Sequence, residues 1–150
     1  MDFERTFIMV KPDGVQRGII GEVVKRFEQK GLKLVACKML IASRDLVEEH
    51  YSEHKGKPFF QGLCDFVAQG PLFCMIWEGP ECIKIGRTLL GVTSPVESLP
   101  GTIRGDFGMV TYRNLVHGSS SPEDAIRECN LWFRPDEIVS WDQTMRQWIL

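Results

Sequence analysis

The residues best placed to do chemistry lie in Asn114-Leu-Val-His117-Gly-Ser-Ser-Ser-Pro122, where a histidine stands just ahead of a helix start rather than on an apolar stripe. A helix N-terminus favours anions and disfavours imidazolium. The placement therefore predicts a neutral His117 with a ring nitrogen free to attack, and a helix dipole that favours phosphate once it is attached. A histidine that caps a turn or bonds backbone groups fits the same residues, and local sequence does not separate the two readings.

Other reactive side chains carry weaker signals. His50 and His54 lie four apart on a predicted helix with no third ligand, the pattern of surface or interface histidines rather than of a metal pair. The five cysteines are odd in number, none lies in C-x-x-C, and most sit in apolar stretches, so buried, reduced thiols are expected. A metal held by protein ligands alone is not expected. The sequence contains no G-x-x-x-x-G-K-[ST], G-x-S-x-G or H-E-x-x-H, so Walker-type phosphate binding and the common hydrolase templates do not apply.

The elements that must position these residues follow from periodicity and turn chemistry. Residues 5–10 read as a strand that stops at Pro12 and delivers Lys11 to an Asp13-Gly14 turn. Ile20, Val23, Val24 and Phe27 repeat at helical spacing ahead of Gly31, giving a helix over 21–30, and residues 32–41 alternate in part like a strand. Ser43 caps a helix through about His54, and residues 59–69 form another, ended by Gly70-Pro71. The wholly apolar run 72–77 reads as a central strand, and Pro80 opens a helix to about Leu90. A loop over 91–105 precedes a last strand over 106–116. Ser121-Pro122-Glu123-Asp124 then opens the last helix with a serine cap, a proline at the first helical position and acids in the first turn. This order is an α+β, ferredoxin-like βαββαβ sandwich: an antiparallel four-stranded sheet with helices on its faces and extra helices inserted.

With 150 residues, 43% hydrophobic and 25% charged, the chain has the proportions of a single domain over 1–150, and disorder and collagen-like repeats are excluded. Its 18 Lys+Arg stand against 20 Asp+Glu, which excludes a bulk electrostatic grip on nucleic acid or an anionic membrane. The acid excess is local: residues 122–150 hold 3 basic and 6 acidic residues, whereas residues 107–121 hold Arg113 and no acid. The longest apolar run is far below the roughly 20 residues that cross a bilayer, and no cationic-then-apolar signal opens the chain, so a cytoplasmic address is expected.

Four stretches, Lys11-Pro12-Asp13-Gly14-Val15-Gln16-Arg17, Pro58-Phe59-Phe60, Pro100-Gly-Thr-Ile-Arg104-Gly-Asp-Phe107 and Arg113-Asn114-Leu-Val-His117-Gly-Ser, closely resemble the nucleoside diphosphate kinases. They occur in that family's order and spacing over nearly the whole chain. The resemblance implies a ping-pong exchange in which the γ-phosphate of a nucleoside triphosphate moves to His117 and then to a different diphosphate, maintaining NTP and dNTP pools. It also implies that Lys11 contacts the transferring phosphate with Tyr51 nearby, and that Arg87, Thr93 and Arg104 hold the other phosphates. Asn114 becomes a ribose and phosphate contact, Phe59 a stacking platform for the base, and Glu128 the carboxylate that orients His117. Mg²⁺ is expected to arrive on the nucleotide phosphates, with no protein ligands of its own.

This sequence departs from the family pattern where Ser120 replaces an acid, where Thr111 and Tyr112 replace a small apolar residue and Gly, and where Lys57 replaces Arg. All of these spare the nucleophile. The tail Gln147-Trp148-Ile149-Leu150 is similar to that of hexameric members, which implies a homo-hexamer with subunit contacts through residues 92–102. Two other readings compete: a non-catalytic nucleotide-binding scaffold of the same fold, and an RNA-recognition module, for which the chain lacks the aromatic RNP1 pattern.

Overall fold

Residues 3–150 are described by the structure, which is a computed structural model. The first strand, β1 (Glu4–Val10), is fully buried from Thr6 onward, as an interior strand must be. It runs into a single helical turn, α1 (Pro12–Gln16), and then α2 (Ile20–Lys30), which ends at Gly31 with φ 107°. Then follow β2 (Lys33–Leu40), α3 (Arg44–His50), α4 (Phe60–Ala68), β3 (Leu72–Gly79) and α5 (Cys82–Leu90). A second single turn, α6 (Ile103–Phe107), leads to β4 (Val116–Gly118) and α7 (Pro122–Trp132). The sheet order is β2-β3-β1-β4 and every pair is antiparallel, the expected ferredoxin-like arrangement.

Alternation along β1 divides the core in two. Phe7 and Met9 face α3, α4 and α7, packing with Val47, Cys64, Cys129 and Trp132; Ile8 and Val10 face α2 and α5, packing with Val23, Phe27, Trp77 and Leu90. On the first face the Phe7 and Trp132 rings stack at 5.6 Å between centroids, and on the second Phe27 meets Trp77 at 5.3 Å. Burying aromatic surface on both sides clamps the central strand. Ser43 and Ser121 accept backbone N–H bonds from Leu46 and Asp124, the helix caps read from the sequence.

Three expectations are corrected. The helix opened by Ser43 ends at His50, and Ser52–His54 is a separate 3₁₀ turn. Asp13-Gly14 lies inside α1 rather than in a simple turn. The last strand is only Val116–Gly118, because Thr102 Oγ1 accepts the Gly105 N–H and winds the start of the expected strand into α6. Of the cysteines, Cys37 is exposed on β2 while the other four are buried, and all five are free thiols.

The shortness of β4 has a second cause. Leu115 adopts φ +73°, a left-handed conformation that a branched side chain enters only under constraint. The constraint comes from the end of β1: the Lys11 N–H donates to Leu115 O at 2.9 Å, and the Leu115 N–H donates to Asp13 Oδ2 at 3.0 Å. This crossing locks Lys11 beside the strand that carries His117. Gly14 permits it, since a Cβ there would meet Leu115 O at 2.7 Å and Val10 Cγ1 at 2.6 Å. Gly14→Ala is expected to destabilise the fold by about 1–3 kcal/mol, read as a lower denaturant midpoint at unchanged m-value.

Candidate active site

His117 lies in β4 opposite Met9 of β1, which turns its side chain toward α7. It is thus a strand residue, five positions before Pro122, rather than a loop residue at the helix start. Its Nε2 is 2.9 Å from Glu128 Oε2, and Glu128, on α7, is only 4% exposed. An ionised carboxylate only accepts hydrogen bonds, so His117 donates from Nε2 and leaves the lone pair on Nδ1. Nδ1 has no hydrogen-bond partner among the described residues.

The other oxygen of Glu128 is held from the strand. The Phe7 N–H donates to Ser119 Oγ at 3.1 Å, and Ser119 Oγ–H donates to Glu128 Oε1 at 2.7 Å. Sequence reasoning missed Ser119, although the spacing His117-Gly-Ser119 puts both side chains on one face of an extended segment. Ser120, by contrast, points out and donates to Asp124 Oδ2 at 2.5 Å, which keeps a carboxylate at the rim of the site.

The expected cationic residues converge on the same cavity, about 810 Å³ in volume, as do Tyr51, Phe59, Thr93 and Asn114. Arg104 is buried and donates to three carbonyls, Asn114 O, Gly91 O and Val116 O, at 3.1, 2.8 and 2.6 Å. Arg87 is exposed and donates to Gly118 O at 3.3 Å. Lys11 is buried. Among the described residues none of the three forms an ion pair, so their charge is directed into the cavity. Burial first, then the Arg104 charge, brings the Lys11 ammonium down to about 8, and burial followed by Arg87 brings Arg104 to about 10. Two desolvated cations with an exposed third beside them, none in an ion pair and with only Asp13 acting on the buried two at longer range, are a site that wants an anion.

The remaining lining is polar at one end and aromatic at the other. Tyr51 is buried with an unpartnered hydroxyl, and burial raises its pKa above the usual phenol value so that it stays a phenol donor. Asn114 Nδ2 donates to Thr93 O at 3.1 Å, while its Oδ1 has no partner. Phe59 is 52% exposed at the mouth, an unusual position for a phenylalanine, with the His54 ring 5.2 Å away between centroids and the Lys57 ammonium 5.8 Å from the Phe59 centroid. Thr111 and Tyr112 line the same mouth, with the Arg113 guanidinium over the Phe66 ring.

His50 departs most from expectation. It is 2% exposed rather than a surface residue, whereas His54 remains half-buried. Val47, His50 and Tyr51 follow the three-and-four spacing of one helical face, and all three are buried, which is the signal that would have found it. His50, His117 and Glu128 place potential ligand atoms within 4.8 Å of one another. The group does not suit Mg²⁺, a hard cation that wants about six oxygen ligands. A softer ion is disfavoured as well. A metal-bound imidazole needs an acceptor on its other nitrogen, but Trp132 Nε1–H donates to His50 Nδ1 at 3.0 Å.

An anion-seeking cationic cleft, an aromatic shelf and a histidine with a free ring nitrogen, set on a ferredoxin-like sheet, define a nucleotide phosphotransferase. Known proteins narrow this. The sequence model of the family described as "Nucleoside diphosphate kinase" matches residues 4–138. A nucleoside diphosphate kinase of Schizosaccharomyces pombe is 57% identical over 149 residues, 99% of each chain, and one of Bacillus licheniformis is 56% identical over 97% of this chain and 99% of its own. Among solved structures, a family protein from Babesia bovis has 65% identity and a TM-score of 0.96, covering 98% of this chain and 99% of that one. A halophilic nucleoside diphosphate kinase from Halobacterium salinarum, in complex with CDP, has 48% identity and a TM-score of 0.96 over 99% of each. This chain belongs to the nucleoside diphosphate kinase family, and it transfers phosphate from nucleoside triphosphates to nucleoside diphosphates.

The lowered Lys11 value gives a proton-linkage signature. In the ligand-free chain Lys11 loses its proton near pH 8, whereas an adjacent phosphate favours the charged form. Binding above pH 8 therefore raises its pKa and takes up a proton. Calorimetry of ADP binding in buffers of different ionisation heat is expected to show uptake rising toward about one proton between pH 7 and pH 9, and no such rise in Lys11→Met.

Proposed function

We propose that His117 carries the phosphoryl group in a two-step exchange. The observation that supports this reading best is the direction of the hydrogen bonds at Glu128, which assigns the ring proton to Nε2 and leaves Nδ1 free. In the first step the Nδ1 lone pair attacks the γ-phosphorus. The Nδ1–P bond forms, the bond from phosphorus to the bridging β,γ-oxygen breaks, and its electron pair leaves on the nucleoside diphosphate. No proton moves. The ring becomes a cation that keeps Nε2–H, and the Glu128 carboxylate 2.9 Å away balances it. In the second step a β-phosphate oxygen of another diphosphate attacks the same phosphorus, the new O–P bond forms as the Nδ1–P bond breaks, and its electron pair returns to Nδ1 and restores neutral His117.

In this scheme Lys11 contacts the transferring phosphoryl group, and the phenol of Tyr51 donates beside it. Arg87, Thr93 and Arg104 hold the remaining phosphates, and Asn114 offers its unpartnered Oδ1 to the ribose. Fixed cations aimed at oxygens that gain charge in the transition state supply most of the catalysis. Mg²⁺ enters as part of the nucleotide substrate. Phe59 stacks on the base, and because every base has a π-face, ATP, GTP and deoxynucleotides all serve.

The whole chain, residues 1–150, acts as one such domain, in the cytoplasm, maintaining NTP and dNTP pools. No helix among the described residues is long and apolar enough to cross a membrane. The homo-oligomer is a hexamer, a reading supported by the tail resemblance and by Val96 and Leu99, which leave 78% and 74% of their surfaces exposed on the loop expected to join subunits. Light scattering is expected to return six times the chain mass; a tetrameric mass refutes the hexamer.

The exchange itself is tested with γ-labelled ATP and Mg²⁺. The protein is expected to take up acid-labile, base-stable label that GDP discharges, and His117→Ala to take up none. Arg104→Ala is expected to label about 10²–10³-fold more slowly. An unlabelled parent chain refutes the phosphohistidine.

A further inference from the structure

His50 closes α3 with its ring buried against the catalytic histidine: the two centroids are 4.5 Å apart at an interplanar angle of 77°. Its hydrogen-bond pattern is determinate. Trp132 Nε1–H can only donate, and it donates to His50 Nδ1 at 3.0 Å. A neutral His50 therefore bears its proton on Nε2. Burial above all, reinforced by the charges of His117, Arg127, Lys11 and His54, holds its pKa well below the usual imidazole value and so keeps it neutral.

The Nε2–H has no hydrogen-bond partner, although the ring is 2% exposed. Facing it at 3.8 Å is Glu128 Oε2, the oxygen that receives the His117 Nε2–H. Closing that gap needs a shift of less than one ångström. The Arg127 guanidinium stands 3.9 Å from the same oxygen and donates to His50 O at 3.2 Å, which ties the end of α3 to α7.

We propose that His50 is a positioning residue for phosphoryl transfer: held in one tautomer by Trp132, it directs Nε2–H at Glu128 Oε2 and keeps Glu128 an acceptor for His117 Nε2–H. The inference rests on the reading of His117 as the phosphate carrier. A donor aimed at Oε2 favours the carboxylate over the carboxylic acid and excludes a proton from the position that His117 must donate into. Without it the Oε2 side of Glu128 loses a constraint, and His117 gains access to the tautomer with the proton on Nδ1, which cannot attack.

Three variants test this. His50→Leu removes both ring nitrogens, and Trp132→Phe keeps an aromatic ring in the core against Phe7 while removing the donor that selects the tautomer. His50→Gln keeps an amide that accepts from Trp132 and donates toward Glu128. Two readouts are taken: the single-turnover rate of label uptake from γ-labelled ATP, and the ¹⁵N shifts of His117, which distinguish Nε2–H from Nδ1–H. His50→Leu is expected to slow labelling about tenfold or more and to shift His117 toward a tautomer mixture, with little change in ADP affinity. Trp132→Phe is expected to fall between it and the parent, and His50→Gln to restore much of the rate.

If His50→Leu, or Trp132→Phe where His50→Leu does not fold, labels at the parent rate with His117 still Nε2–H, the proposal fails. Equal loss of rate in His50→Leu and His50→Gln with an unchanged His117 tautomer also overturns it, because that is the result of a purely structural role. Absence of label from the parent chain would overturn the phosphohistidine reading instead.

Discussion

Glu128 is an almost fully buried carboxylate, and a buried carboxylate is tolerated only where donors meet its lone pairs. Here the donors come from two layers of the fold. From the sheet, the Phe7 amide and the Ser119 hydroxyl form a relay onto Oε1, while His117 donates to Oε2. From α3 and α7, His50 and Arg127 stand just beyond hydrogen-bond distance of Oε2. The packing of α7 against β1 is therefore also the electrostatic registration of the nucleophile. If the helix slid by one residue, the carboxylate would lose its donors, so the stacked pair Phe7–Trp132 has a chemical as well as a hydrophobic role.

The cationic wall is built under the opposite constraint. Lys11 and Arg104 are desolvated without carboxylate partners, an arrangement that lowers both of their pKa values and destabilises the empty site. Three backbone carbonyls hold the Arg104 fork, and the strained Leu115 holds the strand beside Lys11. Part of what an anionic substrate contributes on binding is the counter-charge that the fold omits. Local strain and unpaired charge brought together beside the cleft are what a preorganised site requires.

The fold was legible in the sequence wherever a single local device decided an element. The Ser43 and Ser121 caps, Gly31 at the end of α2 and the apolar run that became β3 each carry their signal within a few residues. The failures share a cause. Residues 106–116 look extended by composition, but Thr102 capping and the Leu115 crossing to Asp13 are decided by partners outside the window. The candidate site was legible mainly through motif resemblance, since Lys11, Arg104 and Glu128 taken singly read as ordinary surface charges. His50 escaped because its partner Trp132 is distant in sequence, so that only the assembled helices bring their polar atoms together, and Ser119 escaped because its same-face spacing with His117 shows only once β4 is known to be extended.

Net charge bears on how such a site finds its ligand. With two more acids than bases, the chain has no bulk positive field to draw nucleotides in, and the acid excess lies in residues 122–150, which include the helix that carries Glu128. Attraction is therefore confined to the cleft, where Lys11, Arg87 and Arg104 act over a few ångströms and partly out of solvent. Charges at that range and burial are weakly screened, whereas long-range steering decays within a Debye length of about 8 Å at physiological salt. The same confinement explains why a mildly acidic protein can select a polyanion: the surface average governs encounter, but the clustered cations of the cleft govern binding.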